Sequence, residues 1–357
     1  MEKFAVVMTP DSGQRIVDGH PVLKRLPKKI ALACLPYLSA QKTGIIMDND
    51  YHAELGCLID VPGFFSGWDE LDDEGRYKTI NGIVRLLNRL KTRILCFPLC
   101  HRYLRAEEIN LLEDCGILML DGFHHRLAGM LLAWKQLLVI MKNDIPRFSI
   151  GVWGADNDTG RIWTEALAGN VNDMCIGGLE YRDLEQLADT VLKTTGLACQ
   201  VTNKPEICLG GKNIVIIAEP VSIPVSKCRP LLQFHSVRDH YYFEDYYSVT
   251  AADIQNTYYI EMGWMASPKD LDIAYELDPW EELGVLEGLF YAVSRVYRED
   301  IINSRITLAQ MKRIHTLYEM YPVKLQGLVH SGRRIHFERF RREYFSSLRS
   351  RIIFLDK

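Results

Sequence analysis

At 357 residues the chain exceeds the size at which one hydrophobic core usually stops growing, so two domains are expected. With 48% hydrophobic and 25% charged residues it can bury such cores, which excludes a disordered or collagen-like chain. A formal net charge of -4 supplies no large positive field and argues against nucleic acid as the main partner.

The first apolar block, Phe4-Ala5-Val6-Val7, reads as a buried strand that Thr9 and Pro10 terminate too early for a secretory signal. Pro27 to Leu35 reads as a short helical segment, and Gly44 to Met47 and Cys57 to Val61 as short strands. Arg76 to Leu90 places Ile80, Ile83, Val84, Leu86, Leu87 and Leu90 at helical spacing. Thr92 to Phe97 is a further strand, and Arg105 to Cys115 a further helix. The longest apolar stretch, Leu127 to Met141, is interrupted by Trp134-Lys135-Gln136 and falls short of the roughly 18 to 20 residues that span a bilayer, so it reads as a core helix. The nine cysteines sit in apolar runs such as those around Cys34 and Cys96, where thiols pack as small hydrophobes. Their odd number and the lack of a signal point to a reducing cytoplasm.

After Pro146 the pattern sharpens. Phe148 to Trp153 is a short apolar strand, Gly154 to Gly160 a polar turn, and Arg161 to Ala168 a helix. Asn172 to Ile176, Ala198 to Thr202 and Asn213 to Ala218 supply further strands, with Tyr181 to Thr195 a second helix. Strands separated by crossovers of about a dozen residues signal a parallel sheet. Leu231 to Phe234 and Thr257 to Ile260 are expected to close it, and the Tyr-rich run His240 to Tyr247 reads as a loop or partner surface. Pro279 to Tyr297 and Thr307 to Tyr321 read as helices, and Gly332 to Arg351 as a basic, aromatic tail.

The expected fold class is therefore α/β. A Rossmann-type parallel-sheet domain (147–278) follows a second, N-terminal α/β domain (1–146), and the C-terminal helices and tail (279–357) pack between or across them. In a dinucleotide-binding fold the first strand turns tightly into a helix whose free amides and positive dipole end hold the pyrophosphate. Here Gly154-Ala155-Asp156-Asn157-Asp158-Thr159-Gly160 has the G-x-x-G-x-x-G spacing with Asn157 in the middle. Gly154, Ala155, Asn157, Thr159 and Gly160 are the candidate pyrophosphate contacts. The Asn157 side chain fills space a phosphate would approach, and Asp156 and Asp158 add negative charge. Glu180, about 26 residues after Gly154, stands where an acidic residue accepts from the adenosine ribose, which would favour NAD over NADP; it is equally well placed to start the next helix. Gly177-Gly178 either admit an adenine or make a turn.

Phe4-Ala-Val-Val, the mid-chain glycine loop, Leu286-Glu287-Gly288-Leu289-Phe290-Tyr291-Ala292 and Ile306-Thr-Leu-Ala-Gln-Met311 together resemble the long-chain acyl-ACP reductases and the shikimate-dehydrogenase-like Rossmann proteins related to them. The resemblance covers roughly Phe4 to Tyr321 and implies NAD or NADP as cofactor with a carbonyl or acyl-derived substrate between the domains. It also implies a thioester-forming Cys three residues before Glu287, a position held here by Gly284. The activity expected is hydride transfer without a covalent intermediate; the alternative is a catalytically inactive Rossmann scaffold used for sensing or protein interaction.

Other polar groups carry weaker expectations. His124 and His125 are candidate proton donors, with Asp121 and Arg126 to orient them or bind a carboxylate. Backbone-bonded histidines at a helix start are the bland alternative. Cys96, Cys100 and His101 are close in sequence but lack a second pair at zinc spacing, so no metal is expected. His235, Asp239 and His240 form a further polar group, read first as a structural loop. Arginines and aromatics of the tail suit an acidic partner, an anionic membrane surface or RNA, or a docked strand or helix with solvated arginines.

Overall fold

The structure is a computed structural model, and it describes residues 2–9, 16–17, 21–35, 38–50, 52–64, 68–69, 71–142, 144–221, 230–238, 257–268, 271–273, 275–302, 305–330 and 332–345. The Tyr-rich run, Asp239, His240 and the tail beyond residue 345 lie outside the described residues. By contact the chain divides into two compact units, Met1–His125 with Ser267–Asp300, and Arg126–Ala266 with Ile301–Lys357.

The first unit is built on a mixed six-stranded sheet in the order β13-β2-β3-β1-β4-β5. Its strands are β1 (Phe4–Val7), β2 (Gln41–Asp48), β3 (Ala53–Asp60), β4 (Ile94–Cys96), β5 (Leu118–Leu120) and β13 (Leu271–Ile273). β1, β3, β4 and β5 run parallel, while β2 and β13 are antiparallel additions at one edge. Alternation along β1 sends Ala5 and Val7 to one face, where they join Ile59, Leu95 and Phe97. Helix Asp73–Leu90 covers that face with Ile80, Ile83, Leu86 and Leu87. It starts three residues before the apolar periodicity does, because Asp72 caps it through the Gly75 amide (2.8 Å). Phe4 and Val6 point the other way, against helix Pro279–Val293: a Cβ on Gly288 would stand 2.2 Å from the Phe4 ring. That helix stops at Ser294, and Arg295–Ile302 forms a separate helix where one continuous element to Tyr297 is expected.

The second unit carries a six-stranded sheet, β11-β10-β9-β6-β7-β8, in which every pair is parallel. These are β6 (Ser149–Trp153), β7 (Asp173–Gly177), β8 (Gln200–Thr202), β9 (Ile214–Ile217), β10 (Leu232–His235) and β11 (Tyr258–Ile260). The chain starts in the centre at β6, steps outward through β7 and β8, then returns to β9 on the other side and steps outward again. This is the doubly wound order 3-2-1-4-5-6, and its switch point lies beyond the carboxyl ends of β6 and β9. Helices Asp158–Ala168 and Tyr181–Thr195 and the short Pro205–Leu209 make the crossovers.

A smaller antiparallel sheet, β12-β14-β15, completes this unit with β12 (Met262–Ala266), β14 (Lys324–His330) and β15 (Arg333–His336). The start of the basic tail is thus a docked strand, and residues 337–345 continue as helix with Phe340 and Tyr344 buried and Arg341 and Arg342 exposed. Among the described residues no helix is long and apolar enough to cross a membrane.

Candidate functional site

The switch point of the second unit is where a ligand of this fold binds, so its mouth is built up first. Trp153 ends β6, and Gly154 follows at φ +82°, left-handed backbone that L side chains rarely adopt. The Gly154 and Ala155 amides both donate to the Gly177 carbonyl at the end of β7 (2.8 and 2.9 Å), which fixes the turn. Helix Asp158–Ala168 then begins so close that a Cβ on Gly160 would stand 2.1 Å from the Gly154 carbonyl oxygen. First and last glycines therefore serve the tight turn and the helix–strand approach that a dinucleotide loop requires.

The middle of the loop does something else. Asn157 is the N-cap: its Oδ1 accepts from the Gly160 amide (2.9 Å), and its Nδ2 donates to the Ala218 carbonyl just past β9 (3.1 Å). The side chain thus spans from the helix start to the neighbouring strand, using an amide that would face an anion. Asp156 reaches across to β7, where its Oδ2 accepts from the Leu179 and Glu180 amides (2.8 Å each). Its Oδ1 lies 2.0 Å from where a Cβ on Gly178 would be. Gly178 is therefore spent on admitting this carboxylate, and Gly177 on the Trp153 ring (2.8 Å) and the Cys208 sulfur (3.0 Å), rather than on an adenine.

Asp158 accepts from the Ile306 amide (3.1 Å) with Arg305 3.4 Å away. Glu180, exposed, is the N-cap of helix Tyr181–Thr195 without a side-chain cap bond. Thr159 and Ala155 are buried. One acidic residue was missed in the sequence: Glu219, two residues past β9. Burial, and then the charge of Asp156, push its carboxyl above the ordinary value, so the two carboxylates are near enough to repel. Buried oxygens of both, Asp156 Oδ1 and Glu219 Oε2, have no hydrogen-bond partner among the described residues.

This is a Rossmann mouth whose anion-binding positions its own side chains hold. No family model and no curated protein matches the sequence. Among solved structures the chain is similar to L-tryptophan dehydrogenase from Nostoc punctiforme, at 11% identity over 90% of this chain and 80% of that one, with a TM-score of 0.38. It is also similar to ornithine carbamoyltransferase from Pyrococcus furiosus, at 12% identity over 82% and 84% with a TM-score of 0.32. A third is shikimate 5-dehydrogenase from Listeria monocytogenes in complex with shikimate and NAD, at 12% identity over 88% and 96% with a TM-score of 0.29.

The histidine candidates lie in the first unit. His125 is fully buried, its ring stacked on Phe290 (4.9 Å, 12°) and tilted against Tyr297 (5.0 Å). Its Nε2 lies 3.9 Å from Glu287 Oε2, a carboxylate 1% exposed. Burial, and then the neighbouring His124, hold His125 well below the ordinary imidazole value, so the ring is neutral. Glu287 also helps burial push the Cys96 thiol up, which leaves Cys96 an unreactive core residue. Asp121 is elsewhere: its Oδ1 accepts from the Phe123 amide (3.0 Å), and its Oδ2 lies 3.6 Å from His101 Nε2. It therefore pairs with His101.

Arg126, in the second unit, donates to the Val237 carbonyl and, at 3.4 Å, to that of His235. Burial, and then Arg126, hold His235 low. Among the described residues no cluster of three or more His, Cys, Asp or Glu side chains could hold a metal. At Gly284 the expected thiol has no room, since a Cβ there would lie 2.8 Å from Val6 Cγ1 and 3.3 Å from Pro98.

Proposed function

We propose that this chain is a Rossmann-scaffold protein that has given up its dinucleotide and works without catalysis, as a sensor or an interaction protein. One observation carries the reading: Asp156 takes the Leu179 and Glu180 amides beside a second half-buried carboxyl, Glu219, while Asn157 caps the helix opening. A pyrophosphate entering there would displace a cap and meet two carboxyl groups. The packed Gly284 supports the same reading on the substrate side, because an acyl thioester has no thiol at that position. So does the enclosure of His125 and Glu287, 0% and 1% exposed, which keeps that pair from donating a proton to a bound ligand. At the rim, Leu179 and Tyr181 are 68% and 47% exposed and leave apolar surface for a protein contact.

The second reading is an oxidoreductase that binds NAD or NADP through Gly154, Ala155, Asn157, Thr159, Gly160 and Glu180, with His124, His125 and Asp121 acting on a carbonyl or acyl-derived substrate. The retained turn geometry at Gly154 and Gly160 favours it. Titration of the folded chain with NADH and with NADPH, followed by cofactor fluorescence, separates the two. No saturable signal is expected from either nucleotide, and micromolar binding of one would overturn the first reading.

A further inference from the structure

We propose that Cys175 and Cys208 form a reversible disulfide, making the second unit a thiol–disulfide switch that takes small-molecule disulfides as its oxidant. This rests on none of the dinucleotide argument. Cys175 lies in β7 and Cys208 in helix Pro205–Leu209, and both are fully buried free thiols. The Cys208 sulfur lies 3.3 Å from the Val152 carbonyl and 3.6 Å from that of Cys175. Both side chains pack in one buried cluster with Trp153 and Val215.

Two glycines make this approach feasible. A Cβ on Gly151 in β6 would stand 2.2 Å from the Cys208 carbonyl oxygen, and one on Gly177 in β7 would stand 3.0 Å from the Cys208 sulfur. Residues 175 and 177 share one face of β7, so the Cys208 sulfur sits over that face with glycine on one side and the Cys175 thiol on the other. A third thiol, Cys199, precedes the residue that pairs with Cys175 across β7 and β8. Burial and then Cys175 push it up to about 11, so it is the weaker nucleophile.

The two central thiols are unequal. Contact with Cys208, and then Lys212, lower Cys175 below the ordinary thiol value, and the same contact raises Cys208. Opening of the helix carries Cys208 off β7 and uncovers Cys175 on the strand, so Cys175 is the attacking group and Cys208 the resolving one. Access comes from opening of the single-turn helix Pro205–Leu209, whose Ile207 is 46% exposed and whose few backbone bonds run from Lys204 to Gly210. Cys175 gives its proton to solvent, and its thiolate attacks one sulfur of a disulfide RSSR; RS⁻ leaves and is protonated. Cys208, deprotonated in turn, attacks the Cys175 sulfur of the mixed disulfide and expels the second RS⁻. Two protein thiols are oxidised, and RSSR is reduced to two RSH. The product ties the helix to β7 directly behind Gly177-Gly178.

The test treats the full native chain with glutathione disulfide, blocks remaining thiols with an alkylating reagent under denaturing conditions and maps the peptides by mass. The expected result is one cross-link joining the Cys175 and Cys208 peptides, reversed by dithiothreitol. Amide exchange over residues 205–212 should slow by roughly tenfold or more in the oxidised form, as local opening is suppressed. Cys208→Ser should leave Cys175 as a stable mixed disulfide with glutathione. Separate alkylation of both residues, or a Cys175–Cys199 link in their place, overturns the proposal, and the mapping needs no variant to fold.

Discussion

Gly160→Ala puts the loop geometry to a quantitative test. A Cβ at 160 would stand 2.1 Å from the Gly154 oxygen, 2.5 Å from the Gly154 carbonyl carbon and 2.7 Å from Ala155 Cα. All three are backbone, so no rotamer change relieves the contact. Overpacking costs about 1 to 3 kcal/mol, and an immovable backbone places this case near ~3 kcal/mol. Alanine's helix propensity returns about 1 kcal/mol, leaving a net loss of about 2 kcal/mol. Gly169→Ala is the matched control. It is the C-cap of the same helix at φ −77°, and a Cβ there meets nothing within 4 Å. It should gain about 0.4 to 1 kcal/mol through the unfolded chain. Urea denaturation followed by tryptophan fluorescence reads both, since Trp153 and Trp163 lie in the affected unit. A lowered midpoint for Gly160→Ala beside a raised one for Gly169→Ala is expected. Equal midpoints would refute the close approach on which the loop description rests.

Further outcomes follow from the same geometry. Asn157→Ala removes both the Gly160 cap and the tie to Ala218, and should lower stability by about 1 to 2 kcal/mol in the same denaturation assay. Arg76 grips Glu108 through Nε (2.6 Å) and Nη2 (2.8 Å) at 5% and 12% side-chain exposure and stacks on Trp68 at 4.1 Å. Arg76→Met strands the carboxylate and should cost the first unit about 3 kcal/mol, much of it recovered in Arg76→Met/Glu108→Gln. Glu219 has a native pKa raised above 4.5. Its contribution to stability is therefore full below that value and is lost as pH rises through the raised one. Comparing midpoints between about pH 4 and 7, native protein should lose stability relative to Glu219→Gln as pH rises; parallel profiles would contradict this.

Much of the second unit is legible in sequence for a physical reason. The inner parallel strands are buried on both faces and so read as apolar runs, Ile214 to Ile217 above all. The antiparallel edge of the first unit is less so. β2 buries only two of its eight residues, and β13 is a three-residue strand far along the chain, so neither carries a local signal of its partner. The same holds at the site. Residue types around Asn157 announce an acidic, poorly permissive loop, but the span from Asp156 to the Leu179 amide is tertiary. Glu219 had one usable signal, an acidic residue two positions past a strand that ends at the switch point. The pairing of His125 with Glu287 had none, since 162 residues separate them in sequence.

Calorimetric titration with NADH, run side by side on the native chain and on Asp156→Thr/Asn157→Gly, addresses the occupied mouth itself. Two unit charges ~5 Å apart at an effective dielectric of ~20 repel by roughly 3 kcal/mol, and the partial exposure of Asp156 reduces this to about 1 to 2 kcal/mol. The native chain should bind more weakly than ~1 mM, and the variant at least about tenfold more tightly. Micromolar binding by the native protein, or an unchanged isotherm in the variant, would contradict the account.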